Sequence, residues 1–147
     1  GQIHRAYVMA YAYRSQAGFL GSVVRLKFLH PMEFGLSVTE KSRTDRWFTA
    51  LGSQDIETGD RAFDKRFLVR GTDEEGIRAL MGATVREALS ELHDYAPVHL
   101  DDDGIDLVRN MVAAPEQVPD VVERGSKLLE AIEVQRYGKQ RSGGPYR

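Results

Sequence analysis

Cysteine is absent from the 147 residues of this chain, and tryptophan occurs only once. Disulfides, thiolate metal sites, iron–sulfur clusters and a cysteine nucleophile are therefore excluded. The compartment stays open, because reducing and oxidising environments both accept such a chain. No apolar run nears the roughly 18 residues of a membrane-crossing helix, and no signal-peptide pattern is visible. Also missing are a P-loop, a G-x-G-x-x-G, an H-E-x-x-H and a G-x-S-x-G. No catalytic residue is assigned on this basis, and no cofactor is expected.

What is present suits one globular domain. Hydrophobic residues make up 41% and charged residues 29%, and at this length about 68–70% of the unfolded chain's surface is buried on folding. Charge is unevenly spread beneath a net −2. Residues 1–71 carry 11 basic and 7 acidic side chains, residues 72–133 carry 5 and 15, and residues 134–147 carry 4 and none. Such polarity steers partners over about a Debye length, roughly 8–10 Å. Solvated acidic helix faces account for it equally simply.

The first third alternates with a period of two. Between Ala6 and Tyr13, Tyr7, Met9, Tyr11 and Tyr13 fall on one face, with Ala6, Val8, Ala10 and Ala12 on the other. Ser15 to Gly21 reads as a turn. Ser22 to His30 sets Val24, Leu26 and Phe28 against Arg25 and Lys27, which predicts a hairpin with one buried and one wet face. Pro31 ends that strand, and Phe34, Leu36 and Val38 suggest a short third one. Residues 40–60 are irregular, anchored by Trp47, Phe48 and Leu51. Phe63 to Arg70 reads as a further strand, with Asp64 facing Arg66 on its polar side.

Beyond Gly71 the period changes to 3.6. Ile77, Leu80, Met81, Val85, Leu89 and Leu92 form a helical stripe, with Thr72–Glu75 and Thr84–Glu87 as capping boxes. Gly82 between them predicts two short helices. Val98–Leu100 and Ile105–Val108 flank Asp101-Asp102-Asp103-Gly104 as a second hairpin. Val118, Val121, Val122, Leu129 and Ile132 mark a last helix, entered through Pro115 or Pro119. Residues 1–135 thus read as one α+β domain, and 136–147 as a flexible basic tail. The expected fold is a mainly antiparallel sheet of five or six strands, with two or three helices packed on one face as a two-layer sandwich.

Chemistry-bearing residues are few. The histidines are His4, His30, His93 and His99. On a strand His99 and Asp101 share a face, with Asp103 nearby, so His99, Asp101 and Asp103 are the candidate metal ligands of a metal-dependent hydrolase. A solvated hairpin tip is the plainer account of the same residues. An EF-hand is excluded, because Val112 stands where the twelfth loop position requires Glu. Asp55, Glu57, Asp60 and Asp64 cluster in sequence and suit surface roles better than paired acid–base work. Lys41, Arg43, Arg46, Trp47 and Phe48 combine cations with large rings, a pattern suited to anionic headgroups and less well to nucleic acid, given a pI near 6.1. Buried anchors with solvated cations explain that run too. The face bearing Tyr7, Tyr11 and Tyr13 marks a partner site if the helices cover the alanine side, and part of the core if they do not.

The run GDRAFDKRFLVRG (Gly59–Gly71), the acidic helix after it and VHLDDDGIDL (Val98–Leu107) resemble uncharacterised bacterial proteins of a domain-of-unknown-function type. Gly59, Asp60, Phe63, Asp64, Phe67, Val69 and Gly71 carry the match, which extends upstream through PMEFGLSV (Pro31–Val38). Thr84-Val85 stands where similar sequences mark the helix break with proline. The resemblance implies an α+β domain tethered to a membrane by a segment outside it, at the cytoplasmic face of a bacterial membrane, and implies no activity. The leading expectation is a non-catalytic interaction module that binds a protein partner or an anionic membrane surface through Lys41, Arg43, Arg46, Trp47, Tyr7, Tyr11 and Tyr13. The metal-dependent hydrolase is the rival class.

Overall fold

A computed structural model describes residues 6–14, 20–41, 54–109, 116 and 118–143, with side chains for 23–41, 55–107, 116 and 118–138. Seven strands form one sheet: β1 (Ala6–Arg14), β2 (Leu20–Phe28), β3 (Ser37–Glu40), β4 (Gln54–Asp55), β5 (Phe67–Gly71), β6 (Val98–Asp101) and β7 (Gly104–Arg109). Their spatial order is β1-β2-β7-β6-β3-β5-β4, and every pairing is antiparallel. Four helices accompany them: α1 (Arg61–Arg66), α2 (Glu74–Leu80), α3 (Ala83–Tyr95) and α4 (Val118–Gly143). This is the expected α+β fold, with seven described strands against five or six expected, β4 being the addition, and four helices against two or three, α1 being the addition.

Register explains the core. Val24 lies opposite Leu107, and Leu107 opposite Val98. One row along, Leu26, Ile105, Leu100, Val38 and Val69 follow one another across the sheet. All eight are buried, and cross-strand partners share a face, so this face is the floor of the core. Above it, α4 packs on β2 and β7, α3 on β6, and α1 on β5, while α2 and α3 lean against α4. Val85, Leu89, Leu128 and Ile132 are fully shielded between these layers. Each such side chain contributes about 1.5–3 kcal/mol relative to exposure, and together they hold the roof on.

Several local expectations give way to capping chemistry. The segment from Phe63 to Arg66 belongs to helix α1, and the strand starts only at Phe67. Asp60 is the N-cap, accepting from the Phe63 N–H at 3.1 Å. The Asp64 carboxylate accepts from Thr58 Oγ1 at 2.8 Å and from the N–H groups of Thr58 and Gly59. These bonds satisfy the open end of a helix turn, a structure that a period-two reading misses. Asp64 therefore does not pair with Arg66, which reaches Asp94 at 2.6 Å. Two helices do separate near Gly82, as expected. Their caps differ: Asp73 caps α2, Thr72 Oγ1 donates instead to the Phe34 carbonyl, and α3 begins at Gly82 with no side-chain cap. The third strand is Ser37–Glu40, leaving Phe34 and Leu36 in the preceding loop. Position 136, expected to open a tail, lies inside α4, which continues to Gly143.

Two glycines permit close approach. A Cβ on Gly104 would lie 2.2 Å from the Leu26 carbonyl oxygen, so β7 can start against β2 only with glycine there. Gly35 adopts φ +65°, which lets its loop present successive N–H groups to one carboxylate.

Candidate functional site

Among the described residues the helices pack on the apolar floor or on one another, and the other face of the sheet carries the polar residues of the same strands. One row runs Met9, Arg25, Asp106, His99 and the next begins Tyr7, Lys27, Gly104. Arg25 and Asp106 form a two-armed ion pair, its Nη2–Oδ2 arm at 2.8 Å. Arg25, Lys27, His99, Asp101 and Asp106 are all half-buried. At the β5 end, Arg70 is 5% exposed and approaches Asp55 at 3.5 Å.

The predicted binding residues divide into three groups. Lys41 is exposed at the end of β3. Arg43, Arg46 and Trp47 lie outside the described residues, as does Phe48. Tyr7, Tyr11 and Tyr13 are strand positions of β1 whose side chains also lie outside the description. The backbone register nevertheless assigns faces. Ala6, Val8 and Ala10 pair with Phe28, Leu26 and Val24 of the floor, whereas Tyr7 and Tyr11 pair with Lys27 and Val23. Positions 7, 9, 11 and 13 therefore belong to the helix-free face, in line with Arg25 and Lys27.

The metal alternative finds no ligand cluster among the described residues. His99 Nε2 stands 3.6 Å from Asp101 Oδ2, but Asp101 Oδ1 already accepts from the Asp103 N–H at 2.8 Å and the Gly104 N–H at 3.1 Å. Among the described residues no three His, Asp or Glu side chains converge on a common point. Burial pushes the Asp101 carboxyl up, but the nearby His99 imidazole and those two N–H groups outweigh it and hold it below its ordinary 3.8. Asp101 is thus a turn-forming carboxylate.

Two polar clusters were not singled out in the sequence. Asp102 accepts from the N–H groups of Phe34, Gly35 and Leu36 at 3.2, 2.8 and 3.1 Å, tying the second hairpin to the loop before β3. The signal was present in the three consecutive aspartates, which exceed the needs of one turn. His93 is buried, accepting the Val98 N–H at Nδ1 (3.2 Å) and contacting Glu40 at Nε2 (2.8 Å). Its ring edge meets Phe67. A histidine one residue beyond the stripe of Leu89 and Leu92 was the available hint.

An open cleft of about 410 Å³ lies between α1 and α3, lined by Asp60, Phe63, Arg66, Arg86, Glu87 and Glu91 among others. Its arginines are committed to helix ends: Arg86 donates to the Met81 carbonyl at 2.8 Å and meets Asp60 at 3.3 Å. The Phe63 N–H, with Arg86 beside it, holds the Asp60 carboxyl below its ordinary 3.8. Asp60, Arg66 and Arg86 of the cleft are therefore engaged in holding the fold.

No family model matches the chain, and no curated protein does. Among solved structures, the crystal structure of the mycobacterial trehalose monomycolate transport factor A is similar, with a TM-score of 0.51. Identity is 9%, over 90% of this chain and 76% of that one. At that identity the likeness is one of fold. Within the Gly59–Gly71 part of the resemblance, Asp60 is the N-cap of α1 and Asp64 ties that helix to the loop before it. No helix among the described residues is long and apolar enough to cross a membrane.

Proposed function

We propose that the chain is a non-catalytic interaction module, the soluble part of a membrane-associated protein, and that it docks on an anionic lipid surface. What carries this reading is the one-sided roofing of the sheet. The helices bury one face, and the opposite face offers Lys27 beside a strand with tyrosines at alternate positions. Tyrosine suits a membrane–water boundary because its ring is apolar and its hydroxyl wet. A lysine beside it attracts anionic headgroups. Lys41, exposed at the end of β3, leads into Arg43, Arg46, Trp47 and Phe48, a second run of the same chemistry. The similar fold belongs to a protein named as a transport factor, with which a non-catalytic, accessory role is compatible.

Vesicle flotation tests the reading. The protein is expected to float with vesicles containing anionic lipid, to stay behind with neutral ones, and to be released by salt. Replacing Lys41, Arg43 and Arg46 together by Glu should abolish flotation while leaving the melting temperature unchanged. Failure of the parent protein to float with anionic vesicles contradicts the proposal.

A further inference from the structure

The two edges of the sheet are built differently. β4 closes one edge with two residues and an exposed Asp55, a short charged edge of the kind that blocks pairing with other chains. β1 closes the other with nine residues, and from Ala6 to Tyr13 it contains neither a charge nor a proline. Among the described residues β1 pairs with β2 alone, along its whole length. A long, uncharged, regular edge is a template for another strand.

The composition of β1 suits a second copy of itself, because with no charge from Ala6 to Tyr13 self-pairing sets no like charges opposite each other. Direct antiparallel partners must share a face. Because β1 alternates small and large residues, only registers whose paired numbers have an even sum satisfy this across a two-fold axis normal to the sheet. The register centred on Ala10 alone uses all nine residues. It sets Ala6 opposite Arg14, Val8 opposite Ala12, Tyr7 opposite Tyr13 and Met9 opposite Tyr11. Small residues continue on the helix side of both copies, large ones on the helix-free side, and the one charged position lies at the end.

We infer that β1 is a dimerisation edge, pairing antiparallel with β1 of a second copy about a two-fold axis at Ala10 to make a continuous fourteen-stranded sheet. Both helix layers then lie on the same side. Both helix-free faces join into one surface with twice the area for docking. The inference concerns the strand's edge and does not depend on what binds its face.

The absence of cysteine makes the test clean. Directly opposed residues have Cα atoms about 4.5–5.5 Å apart, within the roughly 4.4–6.8 Å that a disulfide spans. Ala10→Cys should therefore cross-link to a dimer under mild oxidation, at least tenfold faster than Asp103→Cys at the exposed hairpin turn. Val8→Cys and Ala12→Cys should cross-link faster when mixed than either does alone, which only this register predicts. The unmodified chain should sediment as a concentration-dependent dimer, and Tyr11→Lys should weaken that dimer at least tenfold with an unchanged far-UV spectrum. A chain that sediments as a monomer at every concentration, or an Ala10→Cys no faster than Asp103→Cys, overturns the inference. A monomer that still floats with anionic vesicles would overturn this inference alone, and a dimer that does not float would overturn only the docking proposal.

Discussion

The two faces of the sheet are made by the same strands, one residue out of step, yet they respond to opposite demands. On the covered face Leu26, Ile105, Leu100 and Val38 form an unbroken apolar row at 1% exposure or less. On the other, Arg25, Asp106 and His99 form a half-buried polar row. The covered face holds nearly all the cohesion, because apolar area removed from water scales with burial and cavities there cannot relax fully. The helix-free face holds charge pairs worth little individually. It can therefore change its chemistry without endangering the fold, which is what a docking surface requires.

The comparison can be broken most forcefully from the covered side. Leu100→Ala should cost about 2–5 kcal/mol in chemical denaturation, since the site is sealed between β3, β7 and the helices. Gly104→Ala acts at the seam between β2 and β7. Its Cβ would press on the Leu26 backbone, so a loss of about 1–3 kcal/mol is expected, with the first hairpin showing faster hydrogen exchange. Asp102→Ala strips an acceptor from three N–H groups in a partly solvated loop and should cost about 1 kcal/mol. On the helix-free face, a double-mutant cycle on Arg25 and Asp106 should return a coupling of about 0.2–1 kcal/mol, shrinking with salt.

The smallest expected effect is a pH dependence. Asp101 has a folded-state pKa below its ordinary 3.8. Its stabilising contribution is therefore complete above that ordinary value and is lost as pH falls through the lower folded value. Asp101→Asn should accordingly be less stable than the parent near neutrality, with the gap closing below about pH 4.

These same contrasts explain what could be read from the chain beforehand. Period-two alternation in Ser22 to His30 and the apolar doublets around Asp101-Asp102-Asp103-Gly104 declare both hairpins, because each face has a single environment along its length. The 3.6-residue stripe with a glycine interruption likewise declares α2 and α3. The segment Thr58–Arg66 was misread because hydrogen bonds to Asp60 and Asp64 decide it. Phe63 and Phe67 stack at 4.7 Å from a helix and a strand, a contact that linear spacing reports as one strand. Asp102 was illegible for a different reason: its three partners lie 66 to 68 residues away. The aromatic strand could be listed as a candidate surface from sequence, but telling which of its faces lies with the helix-covered floor required the register of β1 against β2.

Single-cysteine labelling on both sides of the molecule offers the sharpest trial of the idea that the polar face of the sheet is the working surface. An environment-sensitive dye at Lys27→Cys, on that side, should shift its emission when vesicles bearing anionic lipid are added, while the same dye at Glu123→Cys on the exposed flank of α4 should not. A shift at position 123 with none at position 27 would contradict the account.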